Sequence, residues 1–171
     1  MSSGSRNGTL KMQFEIFIPG NAKGQPRPRA FARKMGAIHV ARFYDSDTAD
    51  GWKAQVRAGV LGIAFAEDLR AIEGPFDVDM RFRFERPKSH FLRDGALGKN
   101  RSGSFIQKPD LDNLAKLVLD VITRLQRCWV DDDQVVRLVV EKRWALVGEF
   151  AGCVLRVATA GPIIDSPAVR A

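Results

Sequence analysis

The sequence predicts an α+β domain of two layers, a mixed β-sheet with helices on one face, and three observations carry that prediction. From Phe76 to Phe84 the chain alternates strictly, with Phe76, Val78, Met80, Phe82 and Phe84 against Asp77, Asp79, Arg81 and Arg83. Such alternation belongs to a sheet with one buried and one wet face. From Leu111 to Leu125, Leu111, Leu114, Leu117, Val118, Val121, Ile122 and Leu125 recur at helical spacing and form a broad apolar stripe. The order of predicted elements is strand, hairpin, helix, strand, long loop, helix, strand, strand, which suits two layers rather than a bundle or barrel.

Met12 to Ile18 places Met12, Phe14, Ile16 and Ile18 on one side of a first strand. Pro28 to Phe43 reads as a basic hairpin turning near Met35-Gly36. A helix is expected from about Asp47 to Asp68, with Ala49, Trp52, Val56, Val60 and Ile63 on one face and Ser46 or Asp47 as its cap. Gly59 and Gly62 weaken its middle. Arg86 to Gln107 has no period and is predicted to be a long mobile basic loop, of a length that is usually functional in a compact domain. Val135 to Trp144 and Phe150 to Val157 are expected strands, joined by a short turn near Gly148. Residues 12–160 form the expected single domain, between a disordered tail at 1–11 and a flexible one at 161–171.

At 171 residues with 45% hydrophobic content, the chain suffices for one proper core. Its net charge of +7 suits a polyanionic partner. The charge is localised. Lys23, Arg27, Arg29, Arg33, Lys34 and Arg42 form an acid-free block, and Arg86, Lys88, Arg93, Lys99, Arg101 and Lys108 form a second containing only Asp94, so the rest of the chain is net negative. Cys128 and Cys153 lack the spacing of a zinc site and are expected to be reduced. No apolar run is long enough for a membrane span, and no signal-type segment opens the chain, so a cytoplasmic protein is expected. No organic cofactor is expected.

Against that basic background stand two acidic clusters, Asp110-Leu111-Asp112 and Asp131-Asp132-Asp133. Pro109 biases Lys108 away from helical geometry and marks a helix start, where the chain is not yet helical and Asp110 and Asp112 can converge. A helix N-terminus favours negative charge by about 0.3–1 kcal/mol. That is small beside the repulsion among clustered carboxylates, which a divalent cation relieves. The plainer reading makes Asp110 an N-cap, Asp112 a first-turn acid and Asp131 to Asp133 a solvated turn; the joint occurrence of both clusters argues for metal. Oxygen donors select Mg²⁺ or Mn²⁺, and the isolated His39 and His90 are expected at the surface or on phosphate. Lys116 shares a face with Asp112 and Asp120, either as a simple ion pair or as a group that steadies charge on phosphate. One difficulty is reach. A helix from Asp112 to about Gln126 is about 20 Å long, so Arg127 to Asp132 must run almost fully extended to bring Asp132 back, and a site shared across a dimer is the alternative.

At these residues the chain resembles the RusA-like family of crossover (Holliday) junction endodeoxyribonucleases. The matching pieces are Lys108-Pro109-Asp110-Leu111-Asp112-Asn113-Leu114, Lys116, Asp120 and Trp129-Val130-Asp131-Asp132 with Gln134-Val135. Pro26-Arg27-Pro28-Arg29 and Arg86-Pro87-Lys88-Ser89-His90 match more weakly, and the likeness covers roughly Phe14 to Val157. The motifs are specific jointly and not singly. The resemblance implies an α+β homodimer that binds four-way junctions and cuts paired strands with Mg²⁺. It places the catalytic, metal-binding acids at Asp110, Asp112 and Asp132 and the active-site lysine at Lys116. Asp133 stands where the family usually has a small or polar residue, which blurs the choice among the three acids; counting back from Gln134 favours Asp132. DNA contacts are expected from Arg27, Arg29, Arg33, Lys34, Arg86, Lys88 and Lys108 in the two basic blocks. The rivals are a nuclease for flaps or forks and a non-catalytic junction-binding module.

Overall fold

The computed structural model describes residues 12–26, 49–98 and 103–161, together with the backbone alone of 29–35 and 38–44. Its elements are β1 (Gln13–Pro19), β2 (Arg29–Met35), β3 (Ile38–Tyr44), α1 (Asp50–Ala66), β4 (Phe76–Phe84), α2 (Leu111–Leu125), β5 (Val135–Trp144) and β6 (Gly152–Thr159). Four strands form one sheet in the order β1-β6-β4-β5, and β2 and β3 form a separate antiparallel hairpin. The sheet is mixed: β4 runs parallel to β5 and antiparallel to β6. The class is therefore α+β, as the sequence predicts. The expected tails, Gly161 apart, lie outside the described residues.

β4 is central because its alternation is complete. Phe76, Val78, Met80 and Phe82 are wholly buried, while Arg81 on the other face is exposed. Each such apolar side chain contributes about 1.5–3 kcal/mol by leaving water. α2 covers this face with Leu114, Leu117, Val118, Val121 and Ile122, all buried. α1 adds Trp52, Val56, Val60 and Ala64. Gly59 explains how α1 comes so close to β1, since a Cβ there would stand 3.2 Å from Ile18 Cγ1.

Three boundaries differ from expectation. α1 starts at Asp50 with Ala49 at the N-cap and no capping side chain, so neither Ser46 nor Asp47, which lie outside the described residues, opens it. β6 begins at Gly152 rather than Phe150, which stays 78% exposed. Gly152 has φ +154°, and a Cβ on it would collide with the Ile18 carbonyl and the Phe17 ring, so pairing with β1 starts at the residue that can approach closely. β5 and β6 follow one another in the chain, yet β4 lies between them in the sheet.

The segment 86–107, aperiodic in sequence, carries structure in its described parts. Arg86 is buried and donates from Nε to the Ala145 carbonyl at 3.0 Å, a 3-10 turn spans Lys88–His90, and Phe91 bridges Leu97. Phe105 is buried, stacked on Phe84 at 3.9 Å between centroids. Aromatic anchors spaced this far apart leave no periodic trace.

Candidate active site

The Lys108-Pro109 peptide bond is cis, and α2 begins two residues on. Asp110 takes the N-cap position with extended φ and ψ, and its carbonyl accepts from the Leu114 N–H at 3.1 Å. Its carboxylate makes no capping hydrogen bond, so the plain capping role is not the one it fills. Asp110 lines a cleft of about 490 Å³ with Lys23, Gln25, Lys108 and Asn113. Gln25 N–H donates to the Asn113 carbonyl at 2.9 Å and fastens this wall to α2. A second cleft, of about 590 Å³, shares Lys23 and Lys108 and continues past Lys88, Phe105 and Trp144.

Asp112, already within α2, lines a different groove, about 730 Å³, formed with Ala115, Lys116, Leu119, Asp132 and Leu138. The expected convergence of Asp110 and Asp112 is thus replaced by two depressions on either side of the helix start, because helical periodicity turns residues two apart away from each other. Lys116 pairs with Asp120 at 3.7 Å rather than with Asp112.

The chain returns from α2 to this groove by a tightly held segment. Gln126 ends the helix in the left-handed region and donates from Nε2 to the Thr123 and Val130 carbonyls, each at 2.7 Å. Trp129 is wholly buried, with Nε1 donating to Thr123 Oγ1 at 2.8 Å. Gln134 then fixes the acidic turn: Oε1 accepts from the Val130 and Asp131 N–H groups at 2.8 and 3.1 Å, and Nε2 donates to the Ile72 and Gly74 carbonyls at 3.1 and 3.0 Å.

That clamp gives the three acids different surroundings. Asp131 caps the 3-10 turn Asp132–Gln134, its carboxylate accepting from the Asp132 N–H at 2.7 Å. Asp133 lines a depression with Glu73 and Val136. Asp132 alone of the three lines the α2 groove. Burial, the hydrogen bond and charge from Asp131, and the charge of Asp120 all raise its pKa, while Lys116 lowers it. Asp132 therefore meets α2 beside Lys116 and Asp120, within one chain; it need not travel back to the first turn, and this removes the difficulty of reach.

Three contributors escape a reading by motif. Lys142 donates from Nζ to the Gln107 and Pro109 carbonyls, both at 2.9 Å, and lies over the Phe105 ring at 5.4 Å. It thereby ties the residues before Asp110 to β5; a lysine sharing strand parity with Leu138, Val140 and Trp144 was its signal. Gln134 stands three residues after Asp131, the spacing of a capping box. Asp120 shows itself only through its proximity to Asp132.

Of the expected DNA contacts, Lys88 and Lys108 are exposed on the clefts, whereas Arg86 is buried in their wall. Arg27 and the side chains of Arg29, Arg33, Lys34 and His39 lie outside the described residues. His90 packs edge-on against Trp144 at 5.0 Å. Burial pushes both the Cys128 and Cys153 thiols up to about 12, so neither is a nucleophile.

Among the described residues no three acidic, histidine or cysteine groups are gathered closely enough to hold an ion as they stand. The donor chemistry nevertheless suits a hard cation: the candidates are all carboxylates, and Asp132 is held above its usual range partly by neighbouring negative charge, which a cation would offset.

An acid-lined groove beside a lysine-bearing cleft, carried on an α+β sheet, is the kind of surface on which a nuclease handles a phosphodiester. A family model described as Endodeoxyribonuclease RusA matches residues 19–150, and the chain belongs to this family of crossover junction endodeoxyribonucleases. No curated protein matches the chain closely enough to be called similar.

Proposed function

We propose that this enzyme resolves four-way DNA junctions by Mg²⁺-dependent, paired phosphodiester cleavage in recombination and repair, as a homodimer in the cytoplasm of a bacterial or phage-infected cell, Mn²⁺ being a possible substitute. The observation that carries the reading is Asp132, lodged in the same groove as Asp112 and Lys116 after a return of the chain that buried Trp129 and Gln134 hold in place. Asp110, Asp112 and Asp132 would hold the ion. When bound, Mg²⁺ supplies an activated water and charge neutralisation at the phosphoryl group. Lys116, 63% exposed at its side chain, offers a cation to the phosphate being cut. Lys23, Lys88 and Lys108 steady duplex arms through phosphates, contacts that set affinity and carry little sequence information.

Cleavage of a synthetic four-way junction in a gel assay, with and without Mg²⁺ and beside flap and fork substrates, tests the reading. Junction nicking that needs the metal is expected. Binding without cleavage would favour a junction-binding module, and preference for flap or fork would reassign the substrate. Asp110→Asn and Asp112→Asn should each lower cleavage by about 10²–10³-fold, corresponding to several kcal/mol of lost transition-state stabilisation, while junction binding persists.

A further inference from the structure

β5 is an edge strand of ten residues whose outer side, among the described residues, no strand covers from Val135 to Lys142. Only its far end is closed, where the Trp144 N–H donates to the Gly103 carbonyl at 2.8 Å and Ser104 bridges Arg143. A long, proline-free edge is a template for pairing, and proteins usually blunt it with charge or bulges. Here apolar side chains accompany it: Val136 and Leu138 are 53% and 42% exposed, and Leu138 and Val140 share the groove with Leu111, Ala115 and Leu119 of α2.

We infer that a second copy of this chain docks on this edge, β5 against β5 antiparallel about a two-fold axis at Val139. The inference rests on the dimer proposed above and locates its interface. Three features converge on that register. The free stretch Val136 to Lys142 is centred on Val139. Its charges are self-complementary, since the same two-fold sets Arg137 opposite Glu141 of the second copy, both exposed on the wet face, while Leu138 meets Val140 on the helix face. Backbone parity agrees as well. The outward Trp144 N–H shows that even-numbered residues of β5 present their polar groups to the edge, so Leu138 and Val140 form the hydrogen-bonded pairs. Arg137 and Glu141 then fall in non-hydrogen-bonded pairs, where side chains lie closer. The two α2 helices flank the seam on one face of a continuous eight-stranded sheet.

The test uses the full chain at micromolar concentration. In a non-hydrogen-bonded pair two Val139 Cα atoms lie about 4.5 Å apart, within disulfide reach of about 4.4–6.8 Å, and the native cysteines are buried. Val139→Cys under mild oxidation should therefore give a disulfide-linked dimer on a denaturing gel. Glu141→Arg, checked for folding by its thermal melt, should weaken association at least tenfold by sedimentation, and Arg137→Glu added to it should restore the dimer. A wild-type dimer that neither cross-links through Val139→Cys nor responds to Glu141→Arg overturns this interface and leaves the dimer standing. A wild-type monomer overturns both.

Discussion

Asp132 is the residue at which structure and chemistry meet most closely, and its surroundings make the three consecutive acids separable. Asp131 is spent on capping and Asp133 looks into another depression, so Asp132→Asn should abolish cleavage while Asp133→Asn costs no more than a few-fold. Equal loss from both would place the third acid wrongly. A second consequence is thermodynamic. The Asp132 pKa is raised in the fold, so ionising the group costs stability: the cost begins as pH rises past the unfolded value and is complete above the folded one. At neutral pH without metal, Asp132→Asn should accordingly raise Tm, and the rise in Tm that Mg²⁺ gives the parent protein should shrink in the variant. A melt in which the variant loses Tm without metal, or keeps the full response to Mg²⁺, counts against the site.

Among the elements, strands and helices with complete periodicity were legible and those held by single anchors were not. β4, α2 and β5 fall on their expected residues because alternation or a heptad-like stripe runs their whole length. β6 shifted because Gly152, a steric matter invisible to hydropathy, decides where pairing with β1 begins. The acids and lysine of the site were legible as motifs. Their partition was not, since it depends on Gln134 reaching back to Ile72 and Gly74 across some sixty residues. The same holds for Lys142, whose two carbonyl contacts fix the approach to Asp110. Lys142→Met keeps the stem and removes the donors, and should lower the cleavage rate about tenfold with little change in junction affinity. Affinity falling in step with rate would show that it only supports the cleft. Elsewhere, Arg143 grips Glu149 with two hydrogen bonds of 2.6 and 2.8 Å, and the Leu146 N–H adds a third, which together hold the Glu149 carboxyl down to about 2. Its stabilisation is present above the unfolded carboxyl pKa and is lost as pH falls towards 2. Glu149→Gln should cost about 1 kcal/mol at pH 7, and the difference from the parent should vanish in acid.

For the whole molecule, the question is how a protein of net charge +7 carries an acidic groove without repelling its substrate. The clefts answer it, because Lys23 and Lys108 border the depression that holds Asp110, and Lys88 extends the same positive wall. A backbone phosphate drawn to these lysines arrives beside the acids, so affinity and chemistry belong to adjoining but distinct side chains. Neutralising Lys88 and Lys108 together should then weaken junction binding and flatten its salt dependence. Each lost phosphate contact removes about 0.9 from the slope of log K against log salt, so the pair should remove roughly 1.8. The rate at saturating junction should change far less than in Asp132→Asn. Binding isotherms at several salt concentrations, read beside single-turnover cleavage, measure both quantities. An unchanged slope would turn the clefts away from DNA, and a collapse of the saturated rate with the slope intact would move these lysines into the chemistry itself.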